Sequence, residues 1–282
     1  MPDPLSGLSS GTPFIELQSV DSTNNYARSM ISKGLARHGT VIFSHEQLQG
    51  KGQRGKSWHS AKDSSILLSV IVDPAFLELT QQFHLIACTA LASQQFLENR
   101  SGESIHIKWP NDLYWQDRKA GGILIESVVG SQSAVSRQSS AISLQPSAID
   151  SQHSTVDSQQ QGNWKWAIIG IGININQISF PSELKNPVSL KQITGKHSDV
   201  VNSAKDLCTA LDLYLNKLAS GGFEKIYEQY SEHLYKKDEA VKFKKGSRVF
   251  QATVKGVSPS GQLITQHTIE ERFDFGDIEW VI

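Results

Sequence analysis

Residues 164–176 constrain this chain more than any other stretch. Trp-Lys-Trp-Ala-Ile-Ile-Gly runs into Ile171-Gly172-Ile173-Asn174-Ile175-Asn176, where large apolar residues alternate with small or polar ones. A period of two sends alternate side chains to opposite faces of a strand. One face then carries isoleucines and must be buried in a core. The other carries Gly170, Gly172, Asn174 and Asn176 and has almost no bulk. Such a face either leaves room for a ligand or packs tightly against another part of the chain. The alternation alone leaves both readings open.

Other segments supply neighbours for this strand. Residues 14–20, 41–44 and 65–72 read as strands, the last apolar enough for a central position. Residues 105–109 form a strand that breaks at Pro110, residues 113–115 resume it, and Ala120-Gly121-Gly122 leads into a further apolar run. Residues 80–99 and 203–218 carry apolar side chains at helical spacing, and residues 223–235 continue helical. Asp21 or Ser22 is a natural N-cap for a helix ending near Gly34, which would give Ser22, Thr23 and Asn24 a capping role alone. Residues 181–195 read as loop, with 188–190 extended. Beyond residue 236 the pattern switches to short strands at 241–243, 249–257, 261–265 and 273–275, split by turn residues, which predicts a small all-β barrel.

Two segments lack the apolar surface to offset their ordering entropy. Residues 1–13 are rich in Pro, Ser and Gly and are expected to be loose. Ser and Gln supply half of residues 130–163, with no amphipathic period and no aromatic residue, so a flexible insertion is expected there. A net charge of -1 over 282 residues gives no overall pull toward nucleic acid or a membrane surface. No stretch approaches the roughly 20 apolar residues of a membrane span, and the N-terminus has no signal-peptide pattern. Cys88 and Cys208 sit in apolar, helix-like stretches and read as core thiols of a reducing compartment. The expectation is a cytoplasmic protein.

The chemistry concentrates in residues 50–58, Gly-Lys-Gly-Gln-Arg-Gly-Lys-Ser-Trp, which hold three glycines, three cations and no acid. Exposed N–H groups with interleaved cations suit a polyphosphate or a carboxylate. The alternative is a solvated basic loop. Gly50, Gly52 and Gly55 spell the dinucleotide-binding glycine pattern, but the polar residues 56–64 cannot open the helix that pattern needs. Kinase, P-loop and zinc spacings are absent. What remains is a cationic glycine loop, Lys108-Trp109-Pro110-Asn111-Asp112, Arg118-Lys119 before Gly121-Gly122, and the Asn174 strand. These supply cations for phosphate, an Asp and Asn residues for metal or ribose, and Trp58 for a base. Attack of a carboxylate on the ATP α-phosphate needs such a set, because positioning and charge neutralisation are its main demands.

At these residues the chain resembles the biotin protein ligases. The family's glycine-arginine loop looks like residues 50–58, its Lys-Trp-Pro-Asn-Asp signature is residues 108–112, and its Lys-x-x-Gly-Ile-Leu signature is residues 119–124. Its Gly-x-Gly-x-Asn strand is residues 170–174 and its Asp-Ser-Thr-Asn is residues 21–24. The resemblance runs from about residue 14 to the C-terminus. It implies an α+β catalytic domain on a mixed sheet over residues 1–236, then an SH3-like β-barrel over 237–282. It implies activation of biotin with MgATP to biotinyl-5′-AMP, then transfer to a lysine of a biotin carboxyl carrier domain.

Carried over residue by residue, Ser22, Thr23, Asn24 and Gln47 would line the biotin pocket at its ureido end. Lys51, Gly52 and Gln53 would lie over the biotin carboxyl and the adenylate phosphate. Lys119 would neutralise the acyl-phosphate beside Gly122, with Lys51 and Asp112 as further catalytic groups. Asp112 would serve Mg²⁺. Arg54, Lys56, Trp58, Lys108, Asn111 and Asn174 would serve ATP.

The departures are specific. Lys51, Gln53 and Lys56 stand where the family can have Arg, and a lysine offers a point charge instead of a planar fork. Too few residues precede Asp21 for the helix-turn-helix of some members, so no DNA-binding role is expected. A homodimer is left open. The Ser/Gln-rich segment has no counterpart in the family pattern. Two other readings stand beside this one, a lipoate-type ligase and a non-catalytic biotin or adenylate sensor.

Overall fold

The computed structural model describes residues 12–130 and 164–281. The expected loose segment 1–13 lies mostly outside these residues, and the Ser/Gln-rich segment almost wholly so. The central strand is β7 (Trp164–Asn174), where the alternation placed it. It pairs antiparallel with β3 (Ser65–Val72) on one side and β6 (Arg118–Val129) on the other. Beyond β3 lie β2 (Thr40–Ser44) and β1 (Phe14–Leu17), and beyond β6 lie β5 (Asp112–Trp115) and β4 (His106–Lys108). The β1–β2 pair is parallel and the other pairs are antiparallel, so the seven-stranded sheet is mixed.

Alternate residues of β7 enter different layers. Ala167, Ile169, Ile171 and Ile173 join the main core with α2 (Gln82–Ser101) and α4 (Val200–Ala219). Ile168 packs on the opposite face with Ala27, Ile42 and Ile71, under α1 (Thr23–Ser32). Burying one such side chain contributes about 1.5–3 kcal/mol, so a one-residue slip of this strand would forfeit the core. Cys88 and Cys208 are free and buried, and burial pushes the Cys208 thiol up to about 12.

Short helices α3 (Leu190–Thr194) and α5 (Phe223–Glu232) complete the layer. The expected extended piece at 188–190 holds through Ser189, whose φ of -111 and ψ of 160 are extended, and Leu190 then opens α3. Ser189 accepts from the Gln192 N–H while its own N–H donates to the Gln192 side chain, a reciprocal cap that periodicity does not reveal. The C-terminal part is one five-stranded antiparallel sheet, as an SH3-like domain requires. It comprises β8 (Ala240–Lys245), β9 (Arg248–Val257), β10 (Leu263–Gln266), β11 (Glu270–Phe273) and β12 (Glu279–Val281). The strand expected at 273–275 ends at Phe273. Asp274 and Asp277 close a turn there, and the three-residue β12 follows, too short to show a period.

This sheet is tied to the turn between β4 and β5 and to α5 by specific bonds. The Trp109 indole N–H donates to the Gly261 carbonyl at 2.8 Å and the Tyr227 hydroxyl to that of Val257 at 2.5 Å. Gly261 has φ +96, and a Cβ there would lie 2.7 Å from the Phe83 ring. Only glycine suits that turn.

Candidate active site

The first strand stops early, and the reason bears on the site. After Leu17 the chain pairs through Val20 with residues 46–48, and the Gln49 N–H reaches Asp21. These bonds set residues 22–24 beside Gln47. Ser22 holds the N-cap position of α1, but its side chain makes no capping bond. The Thr23 N–H donates to Gln47 Oε1 at 2.8 Å, and the Thr23 hydroxyl lies 3.1 Å from the same oxygen. Asn24 Nδ2 donates to Glu126 at 2.9 Å, and Ser69 Oγ donates to Asn24 Oδ1 at 2.6 Å. Capping alone does not describe these side chains, because Thr23 and Asn24 are engaged across the fold.

The bare face of β7 has two occupants. A Cβ on Gly170 would lie 2.4 Å from Asn24 Oδ1, and one on Gly172 would lie 2.7 Å from the Trp58 ring. The two readings left open by the alternation are therefore both realised. The glycines are needed for close packing, and what packs there is the wall of a cavity. The Trp58 indole nitrogen is buried and has no hydrogen-bond partner. A buried N–H without a partner carries a free-energy cost that an acceptor on a ligand could remove.

The glycine loop is a small closed hairpin. Gly52 N–H donates to the Lys56 carbonyl at 2.7 Å, Trp58 N–H to Gly50 at 2.8 Å, and Lys56 N–H to Gln53 at 3.1 Å. These three N–H groups are satisfied within the loop and are not offered to a phosphate in this conformation. The side chains also have partners. Lys51 donates to Asn25, Gln53 to the Ile123 carbonyl, and Arg54 to the Gly276 carbonyl at 2.9 Å. Arg54 thus ties the loop to the C-terminal sheet.

Lys119 Nζ lies 2.7 Å from Asp112 Oδ1. Gly122 makes room for the pair, since a Cβ there would sit 3.2 Å from that oxygen and 3.3 Å from Nζ. The backbone of Lys119 is clamped by Asn186 and Val188 at 2.7 and 2.9 Å. Its ammonium also stands 5.8 Å from the Trp58 ring. Lys108 lies deeper. It donates to the Tyr114 hydroxyl at 3.2 Å and faces the rings of Tyr114 and Trp280. Burial brings its pKa down to about 8, opposed in part by Asp112. Asn111 donates its amide to the Ile123 carbonyl and Asn174 to the Val188 carbonyl, so both brace the walls.

One cavity of about 530 Å³ gathers all of this. Ser22, Thr23, Asn24, Gln47, Lys51, Gly52, Gln53, Arg54, Lys56, Trp58, Lys108, Asn111, Asp112, Lys119, Gly122 and Asn174 all line it. Sequence reasoning missed Phe180 and Leu184, from the loop after β7, and Phe275 and Trp280, from the C-terminal sheet. None of these lies in a motif. The one available signal was apolar residues placed in turn-rich segments.

Known proteins share both the sequence pattern and the fold. The model of the biotin/lipoate A/B protein ligase family matches residues 16–137. The bifunctional ligase/repressor BirA of Bacillus spizizenii is 29% identical over 227 residues, covering 79% of this chain and 56% of the relative. The biotin–[acetyl-CoA-carboxylase] ligase of Paracoccus denitrificans is 24% identical over 252 residues, covering 88% and 92%. The chain thus spans about half the length of the Bacillus relative. Among solved structures, the biotin protein ligase of Aquifex aeolicus in complex with biotin and ATP superposes with TM-score 0.73 at 22% identity, over 96% of this chain and 99% of that one. The Leishmania major ligase with biotinyl-5-AMP gives TM-score 0.57 at 18% identity, over 94% and 99%. At such identities the superpositions show a shared fold.

The packing of Trp58 on β7 can be tested directly. Gly172→Ala should cost about 1–3 kcal/mol in urea unfolding, because the methyl displaces the ring. Unchanged stability would show that Trp58 does not rest on that strand.

Proposed function

We propose that this protein is a biotin protein ligase, which forms biotinyl-5′-AMP from biotin and MgATP and passes the biotinyl group to a lysine of a biotin carboxyl carrier domain. One observation carries the proposal. A single cavity joins a wall of hydrogen-bonding groups, from Ser22 to Gln47, to a cation–carboxylate pair, Lys119 and Asp112. The first suits a polar ring such as a cyclic urea. The second suits an acyl-phosphate. The division into a catalytic part, 1–236, and a C-terminal part, 237–282, belongs to the same proposal, as does a cytoplasmic setting. No helix among the described residues is long and apolar enough to cross a membrane.

In the first step a biotin carboxylate oxygen attacks the α-phosphorus, a P–O bond forms, and pyrophosphate leaves. The carboxylate is already a competent nucleophile, so the protein positions it and neutralises charge. Lys119 would face the non-bridging oxygens and later the acyl-phosphate, with its ammonium held by Asp112. In the second step the amine of the acceptor lysine attacks the acyl carbon, and AMP leaves. Among the described residues no cluster of three His, Cys, Asp or Glu could hold a resident metal. Mg²⁺ commonly binds through one or two carboxylates plus substrate phosphates. Asp112 would supply the single carboxylate of that pattern. The four hydrogen-bonding side chains Ser22, Thr23, Asn24 and Gln47 favour biotin over lipoate, and Lys119 with its intact pair favours an enzyme over a sensor.

Biotin-dependent ATP–pyrophosphate exchange tests the proposal without knowledge of the acceptor. Exchange is expected with biotin and not with lipoate or octanoate. Lys119→Ala should lower it by roughly 10²–10³-fold while the protein stays folded. Exchange with lipoate alone would move the protein to the sister activity, and normal turnover by the variant would remove Lys119 from its role.

Lys108 adds a pH dependence. Its folded pKa is about 8, so it is mostly charged at neutral pH and loses its charge above that value. Asp112, Lys119, Lys56 and Lys185 are the charged groups around it. Because kcat/KM for ATP reports the free enzyme, it should decline as pH rises through about 8. Lys108→Met should lower kcat/KM and flatten that limb of the profile. A flat wild-type profile would contradict this placement of the charge.

A further inference from the structure

The polar end of the cavity is built from groups whose proton positions are individually ambiguous. Hydroxyls rotate, and a primary amide can be turned end for end. Two fixed donors or acceptors resolve the ambiguity. The Thr23 N–H can only donate, and it meets Gln47 Oε1 at 2.8 Å. The Gln47 Oε1 is therefore the acceptor end, which leaves its Nε2 as a donor. At the other side stands Glu126. Its carboxylate accepts from Arg28 at 3.2 Å, and a carboxylate presents acceptors only. Asn24 must turn its Nδ2 toward it, at 2.9 Å. Asn24 Oδ1 then points the other way, where the single Ser69 hydroxyl proton meets it at 2.6 Å. Ser69 also lies 2.8 Å from Thr23 Oγ1, and the Thr23 hydroxyl reaches Gln47 Oε1 at 3.1 Å. The Ser69 and Thr23 hydroxyl protons are used within this group, and lone pairs of Asn24 and Thr23 are left as acceptors.

We infer that Glu126, braced by Arg28, is a positioning residue that fixes the orientation of the Asn24 amide and so makes this wall an acceptor for the N–H groups of a cyclic urea. The inference rests on the biotin reading above and extends it to a residue that does not line the cavity. A cyclic urea has two N–H donors and one carbonyl acceptor. The wall offers the complement, with acceptors at Asn24 and Thr23 and a donor at Gln47. Gly170 leaves no slack, since Asn24 Oδ1 lies against its backbone. Without the carboxylate nothing would distinguish the two ends of the Asn24 amide, and a flipped amide would set N–H against N–H.

The experiment measures biotin dissociation constants by calorimetry for the full chain, beside cyclic carbamate analogues in which a ring oxygen replaces each ureido N–H in turn. The wild type should bind biotin and reject at least one carbamate. Glu126→Met should weaken biotin binding by about tenfold or more, the worth of one well-made hydrogen bond, and narrow that discrimination by a similar factor. The double variant Asn24→Asp with Glu126→Gln reverses the polarity of the pair. The amide introduced by Glu126→Gln can donate to the carboxylate introduced by Asn24→Asp, whose other oxygen accepts from Ser69. The double variant should therefore regain discrimination that the Glu126→Met variant lacks. A merely structural role would not produce that rescue. Should Glu126→Met not fold, Glu126→Gln alone serves as the comparison, because Arg28 holds the amide oxygen and leaves its N–H₂ facing Asn24, which no longer favours the Asn24 Nδ2 on that side. Wild-type affinity and discrimination in the single variants, or no recovery in the double variant, would overturn the inference alone. Failure of the wild type to bind biotin would overturn the ligase reading and this inference with it.

Discussion

The approach of two side chains to the bare backbone of one strand underlies this site. Asn24 arrives from the start of a helix and Trp58 from the end of a glycine loop, and both settle on β7 where it has only hydrogens to offer. A methyl at either point would collide with them. The opposite face of the same strand is isoleucine and is locked into the main core. The strand thus has no freedom to slip, and the parts that define the two ends of the cavity are referred to one rigid element. Sites built on such elements hold their geometry better than sites on loops alone.

Electrostatics build on that frame. Lys119 and Asp112 come from adjacent strands and meet above Gly122. The main chain of Lys119 is fixed by the segment after β7, so the ammonium is placed by backbone bonds as well as by its partner. Lys108 is held below by aromatic rings, one of them Trp280 of the C-terminal sheet. That sheet also receives the Arg54 guanidinium from the glycine loop. The small sheet is therefore part of the cavity's wall, and the glycine loop that also lines the cavity is anchored to it.

Much of this was legible from the residue pattern. Period two in residues 164–174 and the apolar run 65–72 marked the two central strands, because burial on a sheet leaves a strong signal. The motifs at 21–24, 50–58, 108–112 and 119–124 marked residues that now line one cavity. Less was legible about what those residues do to each other. The glycine loop reads as an open cradle for phosphate, yet three of its N–H groups close on its own carbonyls. Asn111 and Asn174 read as ligand groups, yet both donate to main-chain carbonyls. The cap at Ser189, the three-residue β12 and the role of Glu126 depend on contacts between distant residues, and no local period carries that information.

The most direct measurement is a crystal structure with biotin and a non-hydrolysable ATP analogue bound. The account predicts the bicyclic ring against Thr23, Asn24 and Gln47, with the biotin carboxylate and the α-phosphate both within hydrogen-bonding reach of the Lys119 ammonium. Biotin bound in the reverse sense, or a nucleotide whose α-phosphate lies away from Lys119, would contradict it.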